Sequence, residues 1–167
     1  VMTNRAIFNR RFTSFTADGT QVWLVNGSSV TTSPVTTVDF IAGQNLIQGE
    51  TVFVSGTVVL AATAASGIDP TNYNAIGITS EAASVSASVK VILDDVAVLS
   101  SANLINETAL TPGQYYYVSN EAGKLTAAAA PSGITLTDGY AALAPVGIAL
   151  TSSELSVEIA PVTVLTE

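Results

Sequence analysis

Cysteine and histidine are both absent from this 167-residue chain. Their absence removes Ser-His-Asp and Cys-His nucleophile systems, zinc sites of the usual ligand types, CxxC redox motifs and structural disulfides together. Charge is scarce too, at 11% of residues, where about a quarter is usual. Of that charge, 13 acids stand against 5 bases, a net −8. Neutralising phosphates takes clustered Lys and Arg, so nucleic acid is not an expected partner. No apolar run reaches the roughly 18–20 residues of a membrane span, and residues 1–11 lack the apolar core of a signal peptide. A membrane partner is therefore not expected. Enzymes that rely on carboxylates, Ser, Lys or Tyr alone pass these filters.

What the chain does have is Val, Ile, Leu and Ala in quantity, 48% hydrophobic residues in all, accompanied by many Thr and Ser. Beta-branched side chains crowd a helix at χ1 and suit a pleated strand, so this mixture favours sheet. The length fits one domain or two small ones. Apolar faces on this scale also suggest burial against neighbouring subunits, because a monomer rarely leaves a large apolar patch in water.

Residues 1–11 hold Arg5, Arg10 and Arg11, three of the five bases, which leaves a net −11 from Phe12 onward. A short basic leader thus precedes an acidic body. Residues 12–33 read as a meander of three strands. Asp18-Gly19 and Asn26-Gly27 supply its turns, since glycine accepts the positive φ of a tight turn. A further strand is predicted over 35–41. We place an N-terminal arm and hairpin region at 1–40 and a body at 41–167.

The body appears twice. Gly49-Glu50-Thr51-Val52-Phe53-Val54-Ser55 is answered by Gly113-Gln114-Tyr115-Tyr116-Tyr117-Val118-Ser119, and Ala75-Ile76-Gly77-Ile78 by Pro145-Val146-Gly147-Ile148. The closing strands are Ser88-Val89-Lys90-Val91 and Ser156-Val157-Glu158-Ile159. The offset is 64 at the first station, 70 at the glycines and 68 at the closing strands. Copies at 49–92 and 113–159 are too few for a solenoid. The predicted class is all-β: a small β-barrel or sandwich built from two similar strand–loop–strand copies, behind an N-terminal arm and β-meander. Helical signal is weak, a turn or two at 80–87 and at 99–110.

Candidate chemistry is sparse. Asp94-Asp95 is the one adjacent acidic pair; it reads as a turn after a strand, with half a calcium site as the alternative. Lys124 follows Glu121-Ala122-Gly123 at a hairpin tip. Asn26-Gly27-Ser28 and Asn106-Glu107-Thr108 match the glycosylation sequon and are discounted as chance. In Tyr115-Tyr116-Tyr117 the first and third rings share one face of a strand and the second takes the other. Tyr115 and Tyr117 suit either an interface or ordinary strand packing. Arg5, Arg10 and Arg11, with Phe8 and Phe12 beside them, form either a solvated terminus or an arm that docks on a partner's carboxylates. No catalytic residue, cofactor or metal is assigned.

The second copy, with its Gly113-x-Tyr-Tyr-Tyr-Val-Ser…Gly123-Lys124-Leu125 hairpin and Pro145-Val146-Gly147-Ile148-Ala149 strand, resembles modules of structural proteins from tailed bacteriophages. These include capsid decoration (cement) proteins, head fibres and tail-fibre segments. The resemblance covers 113–159 well and 49–92 more loosely. It implies a non-enzymatic protein of the capsid surface, with the major capsid protein and itself, as a homotrimer, for partners. A fibre component contacting host glycans is the second expectation, and a carboxylate-only hydrolase the third.

Overall fold

The computed structural model describes residues 12–15, 21–25, 28–29, 36–127, 135 and 139–165. The chain divides into two compact units, 1–36 and 37–167. In the first, β1 (Phe12–Phe15), β2 (Gln21–Val25) and β3 (Ser28–Ser29) form an antiparallel sheet in that order, with Phe12 opposite Trp23 and Leu24 opposite Ser29. The predicted turn residues Asp18-Gly19 and Asn26-Gly27 lie outside the described residues.

In the second unit, β4 (Thr36–Ala42), β5 (Thr51–Ser55), β6 (Val58–Ala61), β7 (Gly77–Thr79) and β8 (Ser88–Asp94) close a barrel in the order β4-β6-β5-β7-β8. Because β4 belongs to the barrel, the body begins ahead of the boundary expected at 40/41. The strands β9 (Val96–Val98), β10 (Tyr115–Val118), β11 (Leu125–Ala127), β13 (Pro145–Ala149) and β14 (Glu154–Val157) form a five-stranded sheet, ordered β11-β10-β13-β14-β9. A short pair, β12 (Ala142–Leu143) with β15 (Thr163–Val164), completes the described strands. The fold is all-β. Its helical pieces among the described residues are single 3₁₀ turns at Pro70–Tyr73 and Ser101–Asn103. The helical turn expected at 80–87 does not form; Ala83 bridges Leu46 with two backbone hydrogen bonds, and Ser84–Ala87 makes a tight turn closed by the Ala87 N–H donating to the Ser84 carbonyl.

The sheet order repeats. In the first half the first strand lies between the second and third, with the fourth outside (β6-β5-β7-β8). In the second half the same order is β11-β10-β13-β14. Register makes the match residue by residue: Val52 faces Gly77 as Tyr116 faces Gly147, and Val52 faces Ala61 as Tyr116 faces Ala127. The closing strands match at Ile92 and Ser156, each opposite an isoleucine of the third strand. Their offset is therefore 64 and not the 68 inferred from similar letters, because short alternating Ser/Val strands align equally well in several registers. One contact of the closing strand recurs. Val59 accepts from the Gly43 N–H at 2.9 Å, and its counterpart Leu125 accepts from the Ile105 N–H at 3.0 Å, beside a parallel bridge from Leu104. A single bridge there stands where a full strand closes the first half.

Period-2 alternation assigns the two faces of each strand to different cores. Val52, Val59, Ala61, Val89 and Val91 fill the barrel. Phe53, Ile78 and Ile92 point out of it into a larger cluster with Tyr116, Val118, Leu125, Leu155 and other second-half residues. The halves are stitched by backbone as well. The Gly123 N–H donates to the Ala62 carbonyl at 2.8 Å, the Gly123 carbonyl accepts from the Thr51 N–H at 3.0 Å, and the Ala64 N–H donates to the Ser119 carbonyl at 2.7 Å. Fully buried Asn103 adds a polar latch: its Nδ2 donates to the Gln48 carbonyl at 2.8 Å while Oδ1 accepts from the Ser100 N–H and hydroxyl.

Three outcomes follow from these contacts. A Cβ on Gly77 would stand 2.2 Å from the Ile92 carbonyl oxygen, and one on Gly147 2.0 Å from that of Ser156. Backbone cannot yield as a side chain does, so Gly77→Ala and Gly147→Ala should each cost at least about 1–3 kcal/mol, read as a lowered urea midpoint at constant slope. Asn103→Leu should cost about 1–3 kcal/mol for each stranded backbone group at Gln48 and Ser100. By contrast Thr51→Val, which removes a buried hydroxyl with no partner, should be neutral or stabilising in the same measurement.

Candidate interaction surface

The tyrosine triplet lies on β10, between β11 and β13. Alternation turns Tyr116 inward, fully buried, where its hydroxyl donates to Glu107 Oε2 at 2.6 Å and accepts from the Thr111 N–H at 3.0 Å. Burial, followed by the bond to Glu107, raises the phenol pKa above its usual value, so the ring stays neutral. A register shift between Tyr116 and Tyr117 leaves Val146 as an extra residue on β13. Tyr117 packs partly against the main core, whereas Tyr115 is 49% exposed. Of the two tyrosines proposed from sequence for partner contact, Tyr115 is the open one.

Tyr115 does not stand alone. Cross-strand register sets it opposite Ile148, Ile148 opposite Ser156, and Ser156 opposite Val96, a row running across four strands. Val98, opposite Glu154, and Leu150, whose N–H donates to the Glu154 carbonyl, continue the outer surface with exposed apolar side chains. Sequence reading missed Ile148, Leu150, Val96 and Val98. Each looks like an ordinary strand residue, and only the pairing shows that the row shares one face with Tyr115.

The other proposed residues are placed as follows. Arg5, Phe8, Arg10 and Arg11 lie outside the described residues. Phe12 opens β1 opposite Trp23. Asp94 ends β8, and Asp95 makes the turn to β9, its Oδ1 accepting from the Val96 N–H at 2.6 Å. Among the described residues, no three His, Cys, Asp or Glu side chains gather as a metal-binding group. An open groove of about 400 Å³ is lined by Leu93, Asp94 and Ser156–Ile159, and a second of about 290 Å³ is lined by Ile47, Gln48, Val98, Leu99, Ser100 and Asn103. Lys90 pairs with Asp39 at 3.5 Å and Glu81 at 3.8 Å, and Lys124 with Glu121 at 2.8 Å. Both lysines are therefore engaged with carboxylates of the body itself. These exposed pairs contribute little to stability.

These features define an all-β, acidic protein in which a closed barrel joins a five-stranded sheet of matching strand order that carries an apolar outer face. Neither a family model nor a curated protein matches the chain.

One carboxylate sits at the seam between the halves. Glu50 lies beside Gly123, where an added Cβ would come within 2.9 Å of it, and its Oε2 accepts from the Ile47 N–H at 2.8 Å. Partial burial raises its pKa above 4.5, and the Ile47 bond offsets this only in part. The folded state then holds the proton more tightly than the unfolded chain. The Glu50 contribution to stability accordingly falls as pH rises from about 4.5 through the raised value. Glu50→Gln, which keeps the acceptor for Ile47, should melt higher than the parent at neutral pH, with the gap closing below about pH 4.5 in paired thermal scans.

Proposed function

We propose that the protein is a non-enzymatic structural component of a phage virion, a decoration protein that binds the capsid surface and stabilises contacts between major capsid subunits. The observation that carries this reading is the outer sheet face: Tyr115, Ile148, Leu150, Val96 and Val98 on a body whose strands are cross-bonded into two fused halves. Rigid sheet presents such a face without an ordering cost on binding. An amphipathic ring like that of Tyr115 suits an interface. A protein that binds only the assembled shell stabilises it by mass action. In this reading it associates with itself as a trimer, burying apolar surface. It takes no cofactor and binds neither nucleic acid nor membrane. The uncompensated acids keep it soluble before assembly.

The exposed Tyr115 ring also favours one second reading, a head-fibre or tail-fibre component that stacks on host-surface glycans. Copy number separates the two. Densitometry of purified virions of the source phage should find the polypeptide in numbers comparable to the major capsid protein; a few copies per particle would favour a fibre, and its absence from virions would end both readings.

The basic leader has a defined part here. Arg5, Arg10 and Arg11 pair with carboxylates of a neighbouring subunit or of the capsid, with Phe8 and Phe12 as apolar anchors. Exposed pairs contribute about 0–1 kcal/mol each, so the arginines steer and register docking more than they anchor it. Deleting residues 1–11 should leave the β body folded by circular dichroism and weaken particle binding in a co-sedimentation assay. Equal binding of the truncated and full chains at physiological salt would show the leader to be a solvated tail.

A further inference from the structure

Because the halves repeat, each has two surfaces that can be compared across the pair: a hairpin tip between its first and second strands, and an outer face around the start of its first strand. Within the chain, one tip meets one face. The β10–β11 tip of the second half, residues 119–124, docks at the first-half face. Gly123 bonds to Thr51 and Ala62, and the Ser119 carbonyl accepts from the Ala64 N–H. Thr51 is fully buried there, and Phe53, Ile78 and Ile92 are buried with it. On the tip side Val118, Ser119 and Leu125 are fully buried.

Among the described residues, one tip and one face are left over. The face is that of the second half, where Tyr115 replaces Thr51, Tyr117 replaces Phe53 and Ile148 replaces Ile78 by register. Exposure rises from 0% at Thr51 to 49% at Tyr115, and Tyr117 and Ile148 are half-buried. The tip is that of the first half, β5–β6, with Ser55, Gly56 and Thr57 exposed. Val54 is 41% exposed where its counterpart Val118 is 0%. Gly56 keeps the positive φ of Gly123, 63° against 77°, yet nothing approaches the position of its Cβ within 4 Å.

Charge points to what fits between them. The body is acidic, and like charge resists bringing two copies together. Yet no residue between Glu50 and Asp69 is charged, so the β5–β6 tip is a neutral, valine-rich projection that an acidic copy tolerates. It is also the structural equivalent of the element that already occupies this kind of face.

We propose that the second-half face of Tyr115, Tyr117 and Ile148 receives the β5–β6 tip, Val54–Val58, of a second copy of this chain. The interface is heterologous, tip to face, and such contacts close into rings when the rotation allows. Three chains would then place six halves in a ring with each tip seated. This rests on the self-association part of the proposed function and not on the capsid.

Sedimentation velocity of the full chain tests it, with two single variants at exposed positions, Tyr115→Glu on the face and Thr57→Glu on the tip, and Val85→Glu as an exposed control that belongs to neither surface. The wild type and V85E should sediment as the same oligomer, and Y115E and T57E each as folded monomers with unchanged circular dichroism. Mixed together, Y115E and T57E should form a one-to-one dimer, because one retains a good tip and the other a good face. A wild type that stays monomeric at all concentrations would remove self-association altogether. An oligomer that survives either variant would overturn the surface assignment and leave self-association standing. Two monomeric variants that fail to pair when mixed would overturn the tip-to-face geometry.

Discussion

The structure turns on what happens where β5 and β6 diverge. Ala62 still donates to the Thr51 carbonyl, but the Thr51 N–H and the Ala62 carbonyl no longer reach each other. A buried backbone group without a partner costs free energy comparable to a lost hydrogen bond. Gly123 satisfies both, its N–H donating to Ala62 and its carbonyl accepting from Thr51, and in doing so brings the second half onto the first. The latch at Asn103 and the shared apolar cluster depend on the same approach. Glycine suits the position, since it adopts the positive φ of 77° and leaves room for Glu50.

The second constraint is the spacing between the third and fourth strands of each half. At Gly77 and Gly147 a neighbouring carbonyl comes so near that a Cβ has no place. The two sites stand at equivalent register positions and face equivalent oxygens. That agreement is stronger support for a repeat than similar letters, because it concerns backbone geometry and not composition. The halves nonetheless diverge in closure. A seven-residue strand, β4, closes the first-half barrel, whereas a single parallel bridge from Leu104 to Leu125 stands at the matching place in the second half. The same sheet thus encloses a small valine core in one half and opens onto the joint core in the other.

Function, in the proposed reading, follows from surfaces more than from sites. The described carboxylates are largely scattered over the body, and the two lysines are spent on local pairs with Asp39, Glu81 and Glu121. What remains conspicuous is apolar: a tyrosine, an isoleucine, a leucine and two valines on one sheet face, and a neutral hairpin tip. A protein built this way recognises its partner by shape and burial, with charge setting orientation and solubility.

Much of the local structure was legible in the sequence. Strand positions in 49–61, 88–94 and 115–118 follow from alternation and β-branched content, and the Gly123-Lys124 tip from turn chemistry. That Tyr116 takes the opposite face from Tyr115 and Tyr117 follows from period two. The recurrence of Gly77 and Gly147 was visible as well, since a glycine between apolar β-branched neighbours has few other reasons to be there. Tertiary structure alone decided the register of the closing strands, because Ser/Val alternation reads the same when slipped by two residues or by four. It also decided the fates of Thr51 and Tyr115, one sealed and one open at equivalent places. Exposure depends on which copy lies against which, and the chain has only one joint between its halves. Local pattern fixes the two faces of a strand; only the packing of one sheet on another determines which face meets water.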